Sequence, residues 1–254
     1  MRAAVSLGLP GTTGVDTLRA LAPRLESLGF DGIWLNDVPR GDSLDGLRAV
    51  AEVTATLRLG TGVIPLDRRP ADTLDLAGIP VERTLLGIGS GRAAHPVATV
   101  RDGIAALRER TDAGIAVGAL GPRMRRLAAV RADAVVLNWL TPAAAADAMD
   151  DLRRDAGARS PDVRGVLYVR TIADESARAA LEHEAERYEA VASYAANFRR
   201  IGMRAVDATI DRPESLAAFD VVDEVVLRAI TAGGTLEELE RFAETTAGWR
   251  ASTA

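Results

Sequence analysis

The chain has 254 residues and a formal net charge of −5, and 48% of its residues are hydrophobic and 26% charged. This composition excludes intrinsic disorder, and an acidic balance with interspersed arginines argues against a nucleic-acid partner. The sequence has no Cys and no Lys, which excludes disulfides, thiolate chemistry and Schiff-base catalysis, and only His95 and His183 could supply imidazole, so no metal centre is expected. No apolar run reaches transmembrane length and the N-terminus does not read as a secretory signal, so we expect a cytoplasmic protein without a membrane partner.

Short apolar segments alternate along the chain with segments of helical periodicity. The first helix, for example, places apolar residues at i, i+3 and i+4 from Val15 to Leu28, and Gly29 suits its end. A Thr-x-x-Glu capping box, Thr235 and Glu238, marks the start of the last helix. Strands are predicted at residues 3–9, 32–35, 57–64, 83–88, 114–118, 134–138, 165–172 and 224–229. Helices are predicted at residues 15–28, 43–55, 97–109, 122–130, 142–155, 175–200 and 235–246.

This alternation predicts an α/β fold whose parallel strands are buried on both faces. Eight strands in a chain of this length fit a single (β/α)8 TIM barrel better than an open sheet. Because no linker, low-complexity tract or shift in composition divides the chain, residues 1–254 are predicted to form one domain. The active site is then expected where the carboxyl ends of the strands meet.

Two glycine-rich loops follow strands in the middle of the chain. The loop after strand four, residues 87–92, would let backbone approach a ligand closely, although a tight turn between strand and helix is the alternative. The loop after strand five, residues 118–124, combines two glycines with Pro122 at the start of a helix. Free amides at a helix start form a phosphate-binding site, and an ordinary turn is again the alternative.

Other candidates are single residues near predicted strand ends. Asp37 brings a carboxylate to the expected mouth, unless it caps or braces a loop. His95 is expected to be exposed in a loop and His183 to be exposed on a helix. The pair at residues 68–69 could hold an anionic cofactor tail, although a plain charged loop is the more economical interpretation.

Several segments, in order along nearly the whole chain, together resemble the luciferase-like monooxygenase superfamily, especially its deazaflavin-dependent oxidoreductase branch. The most specific of them is Gly-Pro-Arg-Met-x-x-Leu-Ala, which begins at Gly121. The matching segments are residues 28–35, 55–63, 86–91, 121–128, 132–138 and 225–228.

The resemblance implies a barrel that binds coenzyme F-420, a 5-deazaflavin, or alternatively FMN, at its mouth. By family likeness the loop after strand five holds the cofactor phosphate, the loop after strand four lines the ring or ribityl chain, and a non-prolyl cis peptide at Gly62–Val63 backs the ring. Asp37 is then the candidate for a ring contact or proton relay. The cofactor-binding residues implied in this way are Asp37, Thr61, Gly62, Val63, Gly87, Gly89, Ser90, Gly118, Ala119, Leu120, Gly121 and Pro122.

The sequence departs from the family pattern in two places. Val38 stands where members commonly have a His after the Asp, and the segment between strand four and strand five is shortened, which removes an insertion that helps cover the substrate. The function implied is hydride transfer between coenzyme F-420 and a small organic substrate, by a possible homodimer. The alternatives are an FMN-dependent luciferase-like monooxygenase and a non-catalytic barrel that has lost cofactor binding.

Overall fold

Residues 1–252 are described in the computed structural model, and they contain eight barrel strands in a closed ring. Their bounds are β1 Ala4–Pro10, β2 Gly32–Asn36, β3 Arg58–Thr61, β4 Thr84–Gly89, β5 Gly114–Gly118, β6 Ala134–Asn138, β7 Arg164–Thr171 and β8 Glu224–Ala229. A two-residue extension of β3, Ile64–Pro65, pairs with β4, and the two-residue strand Thr209–Ile210 pairs with β7.

The ring closes because β8 pairs with both β1 and β7. Glu224 is the partner of Ala4 on one side and of Val166 on the other, and every pairing in the ring is parallel. The predicted (β/α)8 barrel is therefore confirmed. The predicted bounds of the strands at 114–118, 134–138 and 224–229 agree with the structure, because these are apolar runs between clear helix signals.

Helices surround the barrel in the described part of the chain. Their bounds are α1 Val15–Ser27, α2 Ser43–Ala51, α3 Pro96–Arg108, α4 Pro122–Arg131, α5 Pro142–Ala156, α6 Arg178–Glu189, α7 Ala192–Ile201, α8 Pro213–Ala217 and α9 Leu236–Ser252. The predicted capping box of α9 is present, since the Glu238 amide donates to Thr235 Oγ1 at 3.3 Å and the Thr235 amide to Glu238 Oε2 at 3.1 Å.

The helix predictions differ from the structure in several places, and the last helix, for example, continues to Ser252 instead of 246. The continuous helix expected over 175–200 is broken into a 3-10 turn, α6 and α7, because Val191 is extended and the chain turns there. This turn lets the rings of Tyr188 and Tyr194 pack edge to face, with centroids 4.7 Å apart. Helix α2 ends at Ala51 instead of 55, because Glu26 binds three amides of the segment 55–57 in a turn. The short helix α8 was not predicted.

The strand side chains alternate between two cores. One set packs outward against the helices, and the other fills the barrel interior with residues such as Trp34, Val136, Tyr168 and Val226. Towards the amino end of the strands, Glu224 accepts hydrogen bonds within this interior. No helix within residues 1–252 is long and apolar enough to cross a membrane.

Candidate active site

The carboxyl ends of the strands form the mouth of the barrel. Because side chains alternate along each strand, the last inward-facing positions of the strands line this mouth. On the side of β3 to β5 these positions are Gly62, Gly89 and Gly118, and on the side of β6 to β8 they are Asn138, Arg170 and Arg228. The mouth therefore has one side without side chains and one polar, charged side.

The side without side chains forms a shelf, defined here as Gly62, Val63, Gly89 and Gly118. A Cβ at Gly89 would lie 2.7 Å from Val63 Cγ2, and a Cβ at Gly118 would lie 3.2 Å from both Val63 methyl groups. Val63 is half-buried and fills this space, so the shelf is backbone and one valine. At Gly62 any Cβ would collide with the Tyr168 hydroxyl, so only glycine permits this approach. The peptide bond Gly62–Val63 is cis, as the resemblance implied.

Two other predicted cofactor residues lie under the shelf, and a third lies at its rim. Thr61 has no exposed surface, and its hydroxyl donates to the carbonyl oxygen of Gly87 at 2.9 Å. Ala119 is 3% exposed, and its amide donates to the carbonyl of Val136 at 3.0 Å. These residues fix the shape of the shelf and of the following loop. Ser90 is half-buried at the rim next to Gly89.

The loop after β5 leads into the start of α4. Gly121 is the N-cap residue, Pro122 occupies the first turn, and no side chain caps this helix end. Leu120 and Gly121 are half-buried. The first amides of α4 therefore have no capping side chain among the described residues, which is the arrangement that binds oxyanions.

Arg125, in the first turn of α4, adds a positive charge beside this helix start. Its Nε is buried and has no hydrogen-bond partner among the described residues. Burial, and then the charge of Arg200, lower the pKa of Arg125 to about 10, against a smaller opposing effect of Asp151. Two arginines that repel each other next to an uncapped helix end constitute a place where an anion would be stabilised. Sequence analysis missed Arg125, although it directly follows the Gly-Pro-Arg-Met segment.

Asp37 follows β2 at the mouth, but its carboxylate is already engaged. Its side chain is 1% exposed and forms ion pairs with Arg68 and Arg69, and Ser43 Oγ donates to it at 3.0 Å. Arg69 is also paired with Asp42. Arg68 and Arg69 therefore hold the end of β2 in place through Asp37. Direct contact of Asp37 with a cofactor stays a prediction.

The charged side of the mouth contains a cluster that sequence analysis missed, defined here as the arginine cluster: Arg170, Arg228, Glu184, Asn138 and Trp139. Arg170 Nε donates to Glu184 Oε1 at 2.8 Å, and its guanidinium also donates to Asn138 Oδ1. The Arg170 guanidinium lies 4.0 Å from the ring centre of Trp139. Arg228 is held less closely, with 3.4 Å to Glu184 Oε2. A signal was available: each arginine interrupts an apolar strand at an inward-facing position.

Burial governs the electrostatics of this cluster. Burial opposes ionisation of Glu184, but the charges of Arg228 and Arg170 outweigh it, so the pKa of Glu184 lies below its usual value. Burial lowers the pKa of Arg228, and Arg170 adds to this effect while Glu184 opposes it. The carboxylate is ionised at neutral pH, and two guanidinium groups share its single negative charge.

Unpaired buried polar atoms are concentrated around the mouth. Among the described residues, five such side-chain atoms have no protein partner, and they belong to Asn36, Arg125, Trp139, Tyr168 and Asn197. Buried polar atoms are normally hydrogen-bonded, so a group of exceptions marks a place that accepts a ligand. Trp139 also has a left-handed backbone, with φ of +54°, which is uncommon outside glycine and typical of functional sites.

The two histidines are exposed, as expected from the sequence. His95 is exposed immediately before α3, and His183 is exposed on α6. Neither imidazole takes part in the clusters described above.

A closed parallel barrel with an open polar mouth and an uncapped helix at its rim defines an enzyme scaffold of the (β/α)8 class. The family model described as luciferase-like monooxygenase matches residues 3–113 and 105–252. The chain belongs to this family, which confirms the resemblance.

One curated protein and two solved structures illustrate what the chain is similar to. A 5,10-methylenetetrahydromethanopterin reductase from Methanolobus tindarius is 29% identical over 157 residues, which cover 46% of this chain and 48% of that protein. The chain thus spans about half the length of the curated relative it matches. Among solved structures, the coenzyme F-420-dependent tetrahydromethanopterin reductase of Methanopyrus kandleri has a TM-score of 0.69 at 15% identity, covering 97% of this chain and 98% of that one. The monooxygenase RslO1 of Streptomyces bottropensis has a TM-score of 0.72 at 19% identity, covering 98% and 99%.

Proposed function

We propose that this chain transfers a hydride between coenzyme F-420 and a small organic substrate at the mouth of the barrel. The observation that carries the proposal is the pairing of a flat shelf on β3 to β5 with an uncapped, arginine-flanked helix start on the adjacent loop. The shelf suits a planar ring, and the helix start suits a phosphate. Both are needed for a flavin or deazaflavin phosphate, and they lie on neighbouring strands.

The chain's own residues bind and orient the cofactor in this proposal. The amides at Gly121 and the start of α4, with Arg125, hold the phosphate, and Val63 backs the ring. Gly87, Ser90, Gly118, Leu120 and Pro122 shape the contact surface, with Thr61 and Ala119 beneath it. When bound, the cofactor supplies the hydride-transfer chemistry, and the protein supplies position and electrostatics. Asp37 fixes the β2 end beside the shelf and is carried into the proposal as a candidate contact.

The fit of the cofactor rests on hydrogen-bonding groups at these residues that have no partner in the described part of the chain. The buried Nε of Arg125 has no partner and the helix end has no cap, so an anion there would satisfy several donors at once. Asn36 supports the shelf in a similar way, because its Nδ2 donates to the Gly62 carbonyl while its Oδ1 has no partner in the described chain. An amide oxygen at this edge can accept a hydrogen bond from a ring N–H.

The deazaflavin is favoured over FMN because a methanopterin reductase and F-420-dependent structures stand among the similar proteins. An FMN-dependent monooxygenase is the second candidate, favoured by the similarity to RslO1. Absorbance titration of the purified protein with each cofactor tests this. We expect a dissociation constant at least tenfold lower for F-420 than for FMN, about 1.4 kcal/mol of preference.

Each other outcome of the titration has a defined meaning. Equal or reversed affinity would move the assignment to the monooxygenase. Binding of neither cofactor would overturn the proposal and leave a barrel that has kept the fold without its cofactor.

A further inference from the structure

A cleft of about 390 Å³ opens at the mouth beside the ends of β8 and β1. Thr12 and Thr13 of the β1–α1 loop line one wall, and Glu184 of α6 and Arg228 of β8 line the other. Because the strands follow sequential order around the ring, this cleft lies across the mouth from the shelf on β3 to β5. Its volume is that of a pocket for a small molecule.

The two charged side chains that line the cleft, Glu184 and Arg228, are not paired equally well. Glu184 is the one acid among the described lining residues, and it is already paired with Arg170 at 2.8 Å. Arg170 has further partners in Asn138 and the ring of Trp139, which leave its guanidinium well enclosed. Among the described residues, Arg228 has the longer contact to Glu184 and a hydrogen bond to the carbonyl of Ala229 at 2.5 Å.

Arg228 is therefore a cation held in a partly enclosed place with less than one counter-charge. Its side chain is 15% exposed, so water screens it poorly, and burial works against its charge as described above. A guanidinium in such a place forms strong, directional hydrogen bonds with carboxylates and phosphates. An oxyanion bound next to Arg228 would supply the counter-charge that it lacks, because it shares the single negative charge of Glu184 with Arg170.

Hydroxyl groups complete the lining. Thr12, Thr13 and Thr17 surround the entry to the cleft, and Thr231 lies at the end of β8. Hydroxyl donors around a guanidinium suit an oxyanion better than an apolar group, which would leave them without partners. The cleft thus combines hydroxyl groups and the guanidinium of Arg228 with an apolar part that includes Leu9, Ile230 and Leu239.

We infer that this cleft binds the substrate through an oxyanion group, a carboxylate or a phosphate, seated against Arg228 with the threonine hydroxyls around it. The inference rests on the proposed function, because it treats the opposite shelf as the place of the cofactor. It names the substrate class of that site: a small anion whose charged end points away from the shelf.

The test measures the binding of three aromatic probes by saturation-transfer NMR: benzoate, phenyl phosphate and the neutral benzamide. Each is titrated into the protein alone and into protein saturated with F-420, in which the α4 site is filled. We expect one or both anions to bind at least tenfold more tightly than benzamide in both states. The ratio of benzoate to phenyl phosphate affinity identifies the oxyanion.

Variants assign this binding to the cleft. Arg228→Met should weaken the preferred anion at least tenfold and leave benzamide unchanged, whereas Arg228→Lys should retain part of the preference. Arg178→Met is the matched control, because Arg178 forms ion pairs with Glu175 and Asp211 outside the cleft. Thr13→Val, at the rim, provides a milder change should Arg228→Met fail to fold, and it should weaken the anion about threefold or more.

Two failures are distinguishable. Equal affinity for anions and benzamide, or anion affinity unchanged in both Arg228→Lys and Thr13→Val, would overturn this inference whatever the cofactor titration gives. Failure of F-420 and FMN to bind would overturn the proposed function alone, because the probe titrations on the protein without cofactor still report on the cleft.

Discussion

Gly121 is the position where cofactor binding and folding stability should separate most clearly. It is the N-cap of α4, and its backbone is extended with φ of −103° and ψ of 162°. Apart from its two chain neighbours, no described residue has an atom within 4 Å of an added Cβ. Any residue can adopt this conformation, so Gly121→Val introduces a branched side chain without a clash. The side chain would stand beside the amides proposed to bind the phosphate.

The two expected effects differ in size. Valine is a poorer N-cap than glycine, but a residue with a side chain loses less backbone entropy on folding, so the net change in unfolding free energy should stay within about 1 kcal/mol. Binding should lose about one charge-assisted hydrogen bond, worth roughly 1.5–3 kcal/mol, and part of the helix-end attraction of about 0.3–1 kcal/mol. The dissociation constant for F-420 should therefore rise about tenfold to hundredfold.

The assay combines absorbance titration with F-420 and thermal unfolding of the protein without cofactor. Gly14→Val is the matched control, because Gly14 is the N-cap of α1, also lacks a capping side chain and lies on the opposite side of the mouth. It should cost similar stability and leave the F-420 dissociation constant within about threefold. Unchanged F-420 affinity in Gly121→Val, with an unchanged thermal midpoint, would refute the phosphate assignment.

Four further changes test the site and its support. Asp37→Asn should lower the unfolding free energy in urea by about 1–3 kcal/mol, since it weakens partly exposed ion pairs, while F-420 affinity changes less than threefold; a tenfold change would instead show direct contact with the cofactor. Arg125→Met should weaken F-420 binding about tenfold and leave thermal stability equal or higher, because it removes a half-buried guanidinium whose Nε has no partner among the described residues. Glu224→Gln should destabilise the protein by about 1–3 kcal/mol in urea without changing F-420 affinity. The pKa of Glu26 is lowered to about 2 by hydrogen bonds from the Thr56 amide and hydroxyl and from the amides of Leu57 and Ala55, against a smaller effect of burial. Glu26→Gln should therefore lower the free energy of unfolding above pH 4.5. The difference from the unchanged protein should vanish as the pH falls towards 2.

The barrel could be predicted because each strand is a compact apolar run between helix signals. Period and length decide such elements locally, so the strands near residues 114, 134 and 224 needed no information from the rest of the chain. The Gly-Pro start of α4 is local in the same way. The end of α2 is not, because Glu26, about thirty residues upstream, holds the segment 55–57 in a turn.

The charged half of the site depends on contacts between distant parts of the chain. Arg170 and Arg228 could have been identified as inward-facing from their position in apolar strands. Their shared partner Glu184 could not, because it meets them only after α6 packs against the mouth, and the prediction of one long helix over 175–200 hid the turn that allows this. Asp37 shows the opposite error: its position at a strand end suggested chemistry, whereas Arg68 and Arg69 occupy its carboxylate.

Strands β7 and β8 carry charged side chains at both ends of the barrel, but the hydrogen bonding of these side chains differs between the two ends. At the amino end, Glu224 accepts hydrogen bonds from Ser6 at 2.6 Å, Trp34 at 2.7 Å and Arg164 at 2.7 Å, so its lone pairs are used within the protein. At the mouth, Arg228 has one distant counter-charge, and Trp139 and Tyr168 keep polar atoms without partners in the described structure. Packing alone would favour satisfying both ends equally, because buried polar groups cost free energy when unpaired. Unmet hydrogen bonds at the mouth are what a binding site requires, and they support the proposal that substrate and cofactor bind together at the carboxyl end of the strands.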